Sequence, residues 1–424
     1  MTAAGPQHAS PPARDPGARL RFVGGNRVEL LQGGDELFPR MREAIAGAER
    51  EVWLATYIFS DDDAAHSVAD ALAAAARRGV SVHVVVDGFG SMDTLPRLRD
   101  WLQGARVRLE VFRPIDRWWA WLQPGQLRRL HQKVCVVDGR IAFCGGINVI
   151  DDRFDAGQGW FEAPRLDFAV AVHGPLAQQV HGTVRAIWAR AHLGRGWRDE
   201  MRRLTHAAAP VERTVRLLRR LRSATPPGPA STQPVQAAFV VRDNLRQRRS
   251  IERSLIRAML QAQRRIDIAV PYFYPGRGFR RVLRQAARRG VQVRLLLQGK
   301  VDYRIAALAA QALYAELRSH GVRIFEYTPA FLHAKVAVVD DDWATVGSSN
   351  IDPLSLLLNL EANVVVRDRD FAAALSARLD AAIAASREVD GTQARAGWRA
   401  GLQRRVIAWI AATYLRLGGV RDRY

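Results

Sequence analysis

The chain has 424 residues, 48% of them hydrophobic and 25% charged, a composition typical of globular proteins, and it is long enough for two domains. Its formal net charge of +21 predicts a polyanionic partner, either nucleic acid or an anionic membrane surface. No stretch reaches the roughly 18 apolar residues that a helix needs to span a bilayer.

The N-terminal half begins with residues 1–20, which are rich in Pro, Ala and Gly; we expect a disordered tail rather than a signal peptide. Residues 51–59 (EVWLATYIF) are predicted to form a strand. Residues 75–88 (AARRGVSVHVVVDG) predict a helix end, a Gly C-cap and a second strand. The alternation of strands and helices indicates an α/β domain.

Residues 130–149 (LHQKVCVVDGRIAFCGGINV) predict a buried strand, a Gly turn and another strand. Side chains alternate along a strand, so His131 and Lys133 point the same way. On this stretch alone, a His and a Lys beside a core strand are more often structural than functional.

The same elements return in the second half. Residues 213–234 form an arginine-rich and then Pro/Ser/Gly-rich linker, and residues 265–273 and 286–299 repeat the strand and the helix–strand unit. Residues 331–351 (FLHAKVAVVDDDWATVGSSNI) then repeat the motif without a gap. Retention of the polar residues in both copies favours a functional role for the aligned pairs His131/His333, Lys133/Lys335, Asp138/Asp340, Gly145/Gly347 and Asn148/Asn350.

This repeat predicts two similar α/β domains, each with a mostly parallel sheet, related by a pseudo-twofold axis with the site at their interface. The predicted boundaries are a tail (1–20), a first domain (21–200), a basic helix and linker (201–235), a second domain (236–390) and a basic amphipathic C-terminal segment (391–424).

The two cysteines, Cys135 and Cys144, align with Ala337 and Val346, so we expect both to be small apolar core residues. The sequence shows no cluster of metal ligands, and a lysine beside each motif histidine disfavours a bound metal ion. We therefore expect neither a metal nor another cofactor.

Two His, two Lys and two Asn in one cleft suit metal-free phosphoryl transfer. Lysines and amides stabilise the charge on the phosphoryl oxygens, one imidazole attacks phosphorus, and the other donates and accepts protons. Each imidazole needs a carboxylate partner, and the candidates that follow the motifs are Asp167 and Glu361.

The paired H-x-K-x4-D motifs, each followed by G-x-x-N, resemble the phospholipase D superfamily over residues 23–367. Within it, the chain is most similar to bacterial cardiolipin synthases of the B type. The supporting stretches are GNRVELLQGGDELFPRM (25–41), YIFSDD (57–62), PYFYP (271–275) and NIDPLSLLLNLEANVVV (350–366).

The resemblance implies that His131 is the nucleophile, steered by Glu361, and that His333 is the acid/base, steered by Asp167. It places Lys133, Asp138, Lys335 and Asp340 in the catalytic motifs, and Asn148, Asn350 and Ser348 near the substrate phosphate. Because Asp138 and Asp340 sit at the far ends of their strands, we expect them to brace the fold. Gly146 replaces the serine of the second motif, which removes one hydroxyl near the phosphate.

The favoured activity is phosphatidyl transfer from one phosphatidylglycerol to another, which gives cardiolipin and glycerol. The alternatives are another phospholipase D-type phosphodiesterase, either a phospholipid hydrolase or a nuclease, and a non-catalytic basic scaffold, which the two intact motifs disfavour. Oligomeric state is left open by the sequence.

Residues 113–130 place Trp118, Trp119 and Trp121 among arginines, a composition typical of a membrane-contacting loop, although such a loop could also stack on single-stranded bases. The C-terminal segment has apolar residues at helical spacing and could lie on a membrane or pack on the protein. We expect an anionic phospholipid membrane as partner rather than nucleic acid, and a peripheral location on the cytoplasmic side of a bacterial inner membrane.

Overall fold

The fold comes from a computed structural model that describes residues 20–115, 128–155, 159–204, 235–242, 249–300, 313–352 and 359–390. The strands, numbered in chain order, are β1 (Arg27–Gln32), β2 (Glu51–Thr56), β3 (Ser81–Asp87), β4 (Arg108–Phe112), β5 (Arg129–Leu130), β6 (Lys133–Val137), β7 (Ile141–Gly145), β8 (Phe154–Asp155), β9 (Gly159–Trp160), β10 (Phe168–His173), β11 (Gln236–Arg242), β12 (Arg265–Val270), β13 (Gln292–Gln298), β14 (Arg323–Tyr327), β15 (Val336–Val339), β16 (Trp343–Gly347), β17 (Asn359–Arg367) and β18 (Arg387–Glu388). The helices are Gly33–Ala46, Asp63–Arg77, Leu95–Gln103, Pro175–Leu204, Ser250–Gln261, Arg277–Arg288 and Arg369–Ala384.

The two halves have the same sheet topology. Within the described residues, the first sheet has the order β1-β10-β7-β6-β2-β3-β4, and the second has the order β11-β17-β16-β15-β12-β13-β14-β18. Strand for strand the orders correspond, with β18 added at the edge of the second sheet. The predicted fold class, two related α/β units, is confirmed.

The prediction of mostly parallel sheets is wrong. Along the two strand orders given above, only β2-β3-β4 and β12-β13-β14 pair in parallel, through the helical crossovers that the sequence indicated. The other principal strands are antiparallel, because each motif strand folds back as a hairpin into β7 or β16. The turns begin at Asp138 and Asp340, which have φ values of 54° and 53°.

The halves are joined by a shared core and by strand-like contacts. A single cluster of buried side chains includes Val134 and Phe168 from the first half and Val336 and Val364 from the second. Strand β5 pairs in parallel with β17, and an isolated bridge joins Leu166 to Leu332. These contacts sit next to the two motif histidines, so the docking of the halves also positions the site.

Both cysteines are buried and free, and burial raises the pKa of each thiol to about 12, as expected for core residues without thiolate chemistry. Helix Pro175–Leu204 continues through the predicted domain boundary at residue 200. Residues 205–234 and 391–424 lie outside the described residues, so the domain boundaries stay a prediction. In the described part of the chain, no helix is long and apolar enough to cross a membrane.

Candidate active site

The backbone before each histidine is held in an equivalent way in the two halves. The amide of Leu130 donates to the carboxylate of Asp87 (2.8 Å), and the amide of Leu332 donates to the side-chain oxygen of Gln298 (2.9 Å). Asp87 and Gln298 end the matching strands β3 and β13. The backbone just before each histidine is therefore anchored to the end of a strand in its own sheet.

The first motif histidine, His131, is held by hydrogen bonds to the second half of the chain. The Nδ1 atom of His131 lies 3.0 Å from an Oε atom of Glu361, and its amide donates to the carbonyl of Leu360 (3.0 Å). The next residue, Gln132, donates its side-chain amide to the carbonyl of Glu361 (3.1 Å). Because Nδ1 faces the carboxylate, Nε2 is left for a reacting group.

The second motif histidine, His333, is held by hydrogen bonds to the first half of the chain. The Nδ1 atom of His333 lies 2.6 Å from an Oδ atom of Asp167, and its amide donates to the carbonyl of Leu166 (2.9 Å). The other Asp167 oxygen accepts from the amide of Phe168 (2.8 Å). Each half thus supplies the carboxylate for the other half's imidazole, and neither half holds a complete pair.

The two lysines lie beside their histidines. Lys133 donates to the carbonyl of His131 (2.7 Å). Lys335 donates to the carbonyl of His333, and its ammonium lies 3.7 Å from Asp167. The cleft therefore concentrates two cationic groups with two imidazoles, which suits an anionic phosphodiester.

Burial and charge shift the pKa values of this cluster. Burial acts to raise the pKa of Glu361, but His131, Arg242 and Lys133 outweigh it and lower the value to about 2. The pKa of Asp167 is likewise lowered, because the effects of Lys335 and His333 outweigh the effect of its burial. Both carboxylates are consequently ionised at neutral pH.

The pKa values of the lysines and histidines are lowered as well, but here the main cause is burial. Burial is the main cause that lowers the pKa of Lys133 to about 7 and that of Lys335 to about 8. The charge of Lys335 also lowers the pKa of Lys133, and the charge of Arg165 lowers that of Lys335. Burial and the neighbouring lysine also lower the pKa of His333, and burial lowers that of His131. Both imidazoles are therefore neutral at pH 7.

The two motif asparagines end the hairpins next to the cleft. The side-chain oxygen of Asn148 accepts from the amide of Ile58 (3.2 Å), which fixes the orientation of its amide. The side-chain oxygen of Asn350 is buried without a hydrogen-bond partner among the described residues. A buried acceptor of this kind needs a donor, such as water or a substrate hydroxyl.

Ser348 is hydrogen-bonded to a carboxylate of the site. Its side chain is fully buried, and its hydroxyl donates to Glu361. The aligned Gly146 has no space for a side chain, because an added Cβ would overlap the Asp167 carboxylate. Ser348 thus lies beside the longer carboxylate, Glu361, and Gly146 beside the shorter one, Asp167. A contact of Ser348 with the substrate phosphate stays a prediction.

The motif aspartates lie at the far ends of β6 and β15 from the histidines. Asp138 accepts from three backbone amides, those of residues 49–51, at 2.9 Å each. Asp340 accepts from the amides of residues 263–265 at distances of 2.8 to 3.2 Å. Both carboxylates hold the loop that enters the central strand, which agrees with a bracing role.

Sequence reasoning missed two residues of the site. Arg242, at the end of β11, is fully buried and lies 3.4 Å from Glu361. The ring of Tyr57 lies 5.1 Å from that of His131, and the Lys133 ammonium lies 5.4 Å from the Tyr57 ring. Tyr57 begins the stretch YIFSDD (57–62), but no pattern pointed to Arg242, because burial of an isolated arginine is visible only in the fold.

Two predictions are not addressed by this geometry. Trp118, Trp119 and Trp121 lie outside the described residues. Among the ranges that the structure describes, no group of three or more His, Cys, Asp or Glu side chains is arranged to hold a metal ion.

Comparison with known proteins identifies the family of the chain. The family described as cardiolipin synthase, PLD-like domain, matches residues 41–163 and 255–383. Cardiolipin synthase B of Escherichia coli strain K12 is 38% identical over 370 residues, which cover 87% of this chain and 83% of that protein. Cardiolipin synthase A of Pseudomonas fluorescens is 32% identical over 89% of this chain and 72% of that protein.

Among solved structures, phosphatidylserine synthase from Haemophilus influenzae shares the fold with a TM-score of 0.65 at 14% sequence identity, covering 93% of this chain and 96% of that one. With both family matches spanning the two motifs, the chain belongs to the cardiolipin synthase family of phospholipase D-like phosphatidyltransferases.

Proposed function

We propose that the protein synthesises cardiolipin by transferring a phosphatidyl group from one phosphatidylglycerol to the hydroxyl of another, with release of glycerol. The observation that carries the proposal is the crossed pairing of His131 with Glu361 and of His333 with Asp167. In a chain of this family, such a pairing supplies a nucleophile and an acid/base in one cleft.

In the first step, Nε2 of His131 attacks the phosphorus of the donor lipid. A phosphorus–nitrogen bond forms, and the bond from phosphorus to the oxygen of the headgroup glycerol breaks. His333 protonates that oxygen. The negative phosphodiester raises the lowered pKa of His333 on binding, so that the imidazole takes up the proton that it then donates. Glu361 stabilises the positive charge that develops on His131.

In the second step, a hydroxyl of another phosphatidylglycerol loses its proton to His333 and attacks the phosphatidyl-histidine. The phosphorus–nitrogen bond breaks, and His131 returns to its neutral form. The ammonium groups of Lys133 and Lys335 and the amides of Asn148 and Asn350 stabilise the charge on the non-bridging oxygens in both steps.

We further propose that the protein is peripheral on the cytoplasmic side of a bacterial inner membrane. The net charge of +21 attracts it to anionic lipids, and the segment with Trp118, Trp119 and Trp121 inserts among the headgroups. Anionic phospholipid is then both partner and substrate.

The activity is tested with purified protein and phosphatidylglycerol in detergent micelles. We expect cardiolipin and glycerol in equal amounts. Phosphatidic acid and glycerol without cardiolipin would indicate a phospholipid hydrolase, and cleavage of oligonucleotides without any lipid product would indicate a nuclease. Either result would overturn the proposal.

A further inference from the structure

Exposed apolar side chains are concentrated near the two histidines. Among the described residues, large hydrophobic side chains are at least 40% exposed at five positions, namely Phe89, Met92, Trp160, Leu193 and Leu260. Phe89 and Met92 belong to the loop after β3, and Trp160 belongs to the short strand β9. Leu193 and Leu260 lie on the helices Pro175–Leu204 and Ser250–Gln261.

Phe89 and Met92 are tied to the His131 side of the cleft. The amide of Phe89 donates to Asp87, the carboxylate that also holds the amide of Leu130. The amide of Met92 donates to the carbonyl of Phe89 (3.2 Å). The intervening Ser91 donates its hydroxyl to the carbonyl of Tyr57, the residue whose ring faces His131.

Trp160 is tied to the His333 side. It lies in the short β8–β9 hairpin, where its ring is 64% exposed and 5.3 Å from the ring of Phe154. The next residue, Phe161, packs its ring 4.7 Å from that of Phe331, two residues before His333. The exposed apolar side chains therefore flank the cleft from both sides.

Positive charge accompanies the apolar side chains. The guanidinium of Arg129 lies 5.6 Å from the Phe89 ring and donates to the carbonyl of Arg113, and Arg113 donates to the carbonyl of Arg128. Burial, and after it the charges of Arg128, Arg129 and Arg190, lowers the pKa of Arg113 to about 10. Lys300, exposed on the other side, lies 5.8 Å from the Phe331 ring.

We propose that Phe89, Met92 and Trp160, with Arg113 and Arg128, form a docking rim that sets the mouth of the cleft against an anionic phospholipid bilayer. The apolar side chains insert between headgroups, and the arginines pair with lipid phosphates. Arg113 and Arg128 belong to the stretch 113–130, which in sequence also holds Trp118, Trp119 and Trp121. The inference rests on the proposed lipid substrate and adds the orientation in which the protein meets it.

The test uses the full-length protein and vesicles of phosphatidylglycerol or of phosphatidylcholine. The rim variant Phe89→Ser/Met92→Ser/Trp160→Ser should reduce partitioning onto phosphatidylglycerol vesicles and transfer on them by about tenfold or more. The matched control Leu193→Ser/Leu260→Ser removes equally exposed apolar side chains from other surfaces and should leave both unchanged. Equal loss in the two variants, or no loss in the rim variant, would overturn the inference.

A local probe checks the same surface without removing a cluster of side chains. Because Cys135 and Cys144 are buried, a polarity-sensitive thiol dye should react selectively with Met92→Cys or with the control Leu193→Cys. On phosphatidylglycerol vesicles, the emission of the dye at position 92 should shift to the blue, and at position 193 it should not. The reverse pattern, or no shift at either position, would contradict the rim.

Transfer on a short-chain, soluble phosphatidylglycerol separates this inference from the proposed function. The rim variant should match the wild type on this substrate, because the crossed His–carboxylate pairs are intact; a matching loss there would contradict a docking role. If the wild type makes no cardiolipin from it, the proposed function fails, while the vesicle measurements still decide the rim.

Discussion

The guanidinium of Arg242 lies 3.4 Å from the carboxylate of Glu361, and both side chains are fully buried. The same carboxylate receives the hydroxyl of Ser348 and faces Nδ1 of His131. Glu361 is thus held as a fixed anion behind the proposed nucleophile. The position aligned with Arg242 in the first half is Gly33, so the two imidazoles have unequal support.

Glu361→Gln should lower kcat by about 10³-fold or more, because the amide removes the charge that stabilises the His131 cation. Arg242→Met should destabilise the fold by about 3–5 kcal/mol, since it leaves a buried carboxylate without its partner. The double variant Arg242→Met/Glu361→Gln should regain stability but not turnover, as measured by denaturant unfolding and lipid assay.

An ion pair away from the cleft, between a half-buried arginine and a buried aspartate, serves as the control for that experiment. Arg294 and Asp267 lie 2.6 Å apart on β13 and β12. The variant Arg294→Met/Asp267→Asn should retain wild-type turnover per folded molecule. If the Arg242/Glu361 double variant also retained it, the pair would be purely structural.

Gly146→Ala should reduce turnover by more than about tenfold, because the new methyl group would displace the Asp167 carboxylate from His333. Gly182, in the helix Pro175–Leu204, has open space where a Cβ would stand. Gly182→Ala should therefore be neutral or slightly stabilising. A fully active Gly146→Ala variant would contradict the tight placement of Asp167.

The pH dependence of kcat/KM should reflect the two lysines in the free enzyme. Their pKa values are lowered to about 7 and about 8, so their positive charge is lost as the pH rises through this range. Binding of the phosphodiester then weakens, and kcat/KM should fall between about pH 7 and pH 8. A profile that stays flat to about pH 9.5, as ordinary lysines would allow, would be inconsistent with burial of these groups.

Activity should not require a divalent metal ion, because the two lysines supply the positive charge that the phosphoryl oxygens need. EDTA should leave the rate in detergent micelles within about twofold of the untreated rate. Micelles are the suitable medium because divalent ions also alter anionic vesicles. Complete loss of activity in EDTA, restored by a single divalent ion, would refute a metal-free mechanism.

Much of the fold could be predicted from the sequence because the chain contains its own comparison. The aligned copies identified the strands around the motifs and showed that Cys135 and Cys144 occupy apolar positions. The sheets were predicted as mostly parallel because the alternation of strands and helices was taken to describe each whole sheet. It describes only β2-β3-β4 and β12-β13-β14. The antiparallel strands join them through short turns, which this alternation does not report.

Site residues could be predicted where the same residue type recurs in both motifs. They could not be predicted where the role depends on which side chains are buried together. The resemblance indicated Glu361 and Asp167 as partners, and each lies against the histidine of the other half. The hydrogen bond of Ser348 to Glu361 was missed because a hydroxyl beside a phosphate site can face inward as well as outward. Arg242 was missed because it has no counterpart in the first half.

The central claim is that His131 carries the phosphatidyl group while His333 moves the protons. The most direct test incubates His333→Ala with a phosphatidyl p-nitrophenol, whose leaving group departs without protonation. The first step should proceed, and the second should stall because no base activates the acceptor. We predict a burst of p-nitrophenol equal in molar amount to the enzyme, and a phosphatidyl adduct on His131 detected by mass spectrometry. Neither should be seen in His131→Ala. An adduct on another residue, or a burst that survives in His131→Ala, would contradict this account.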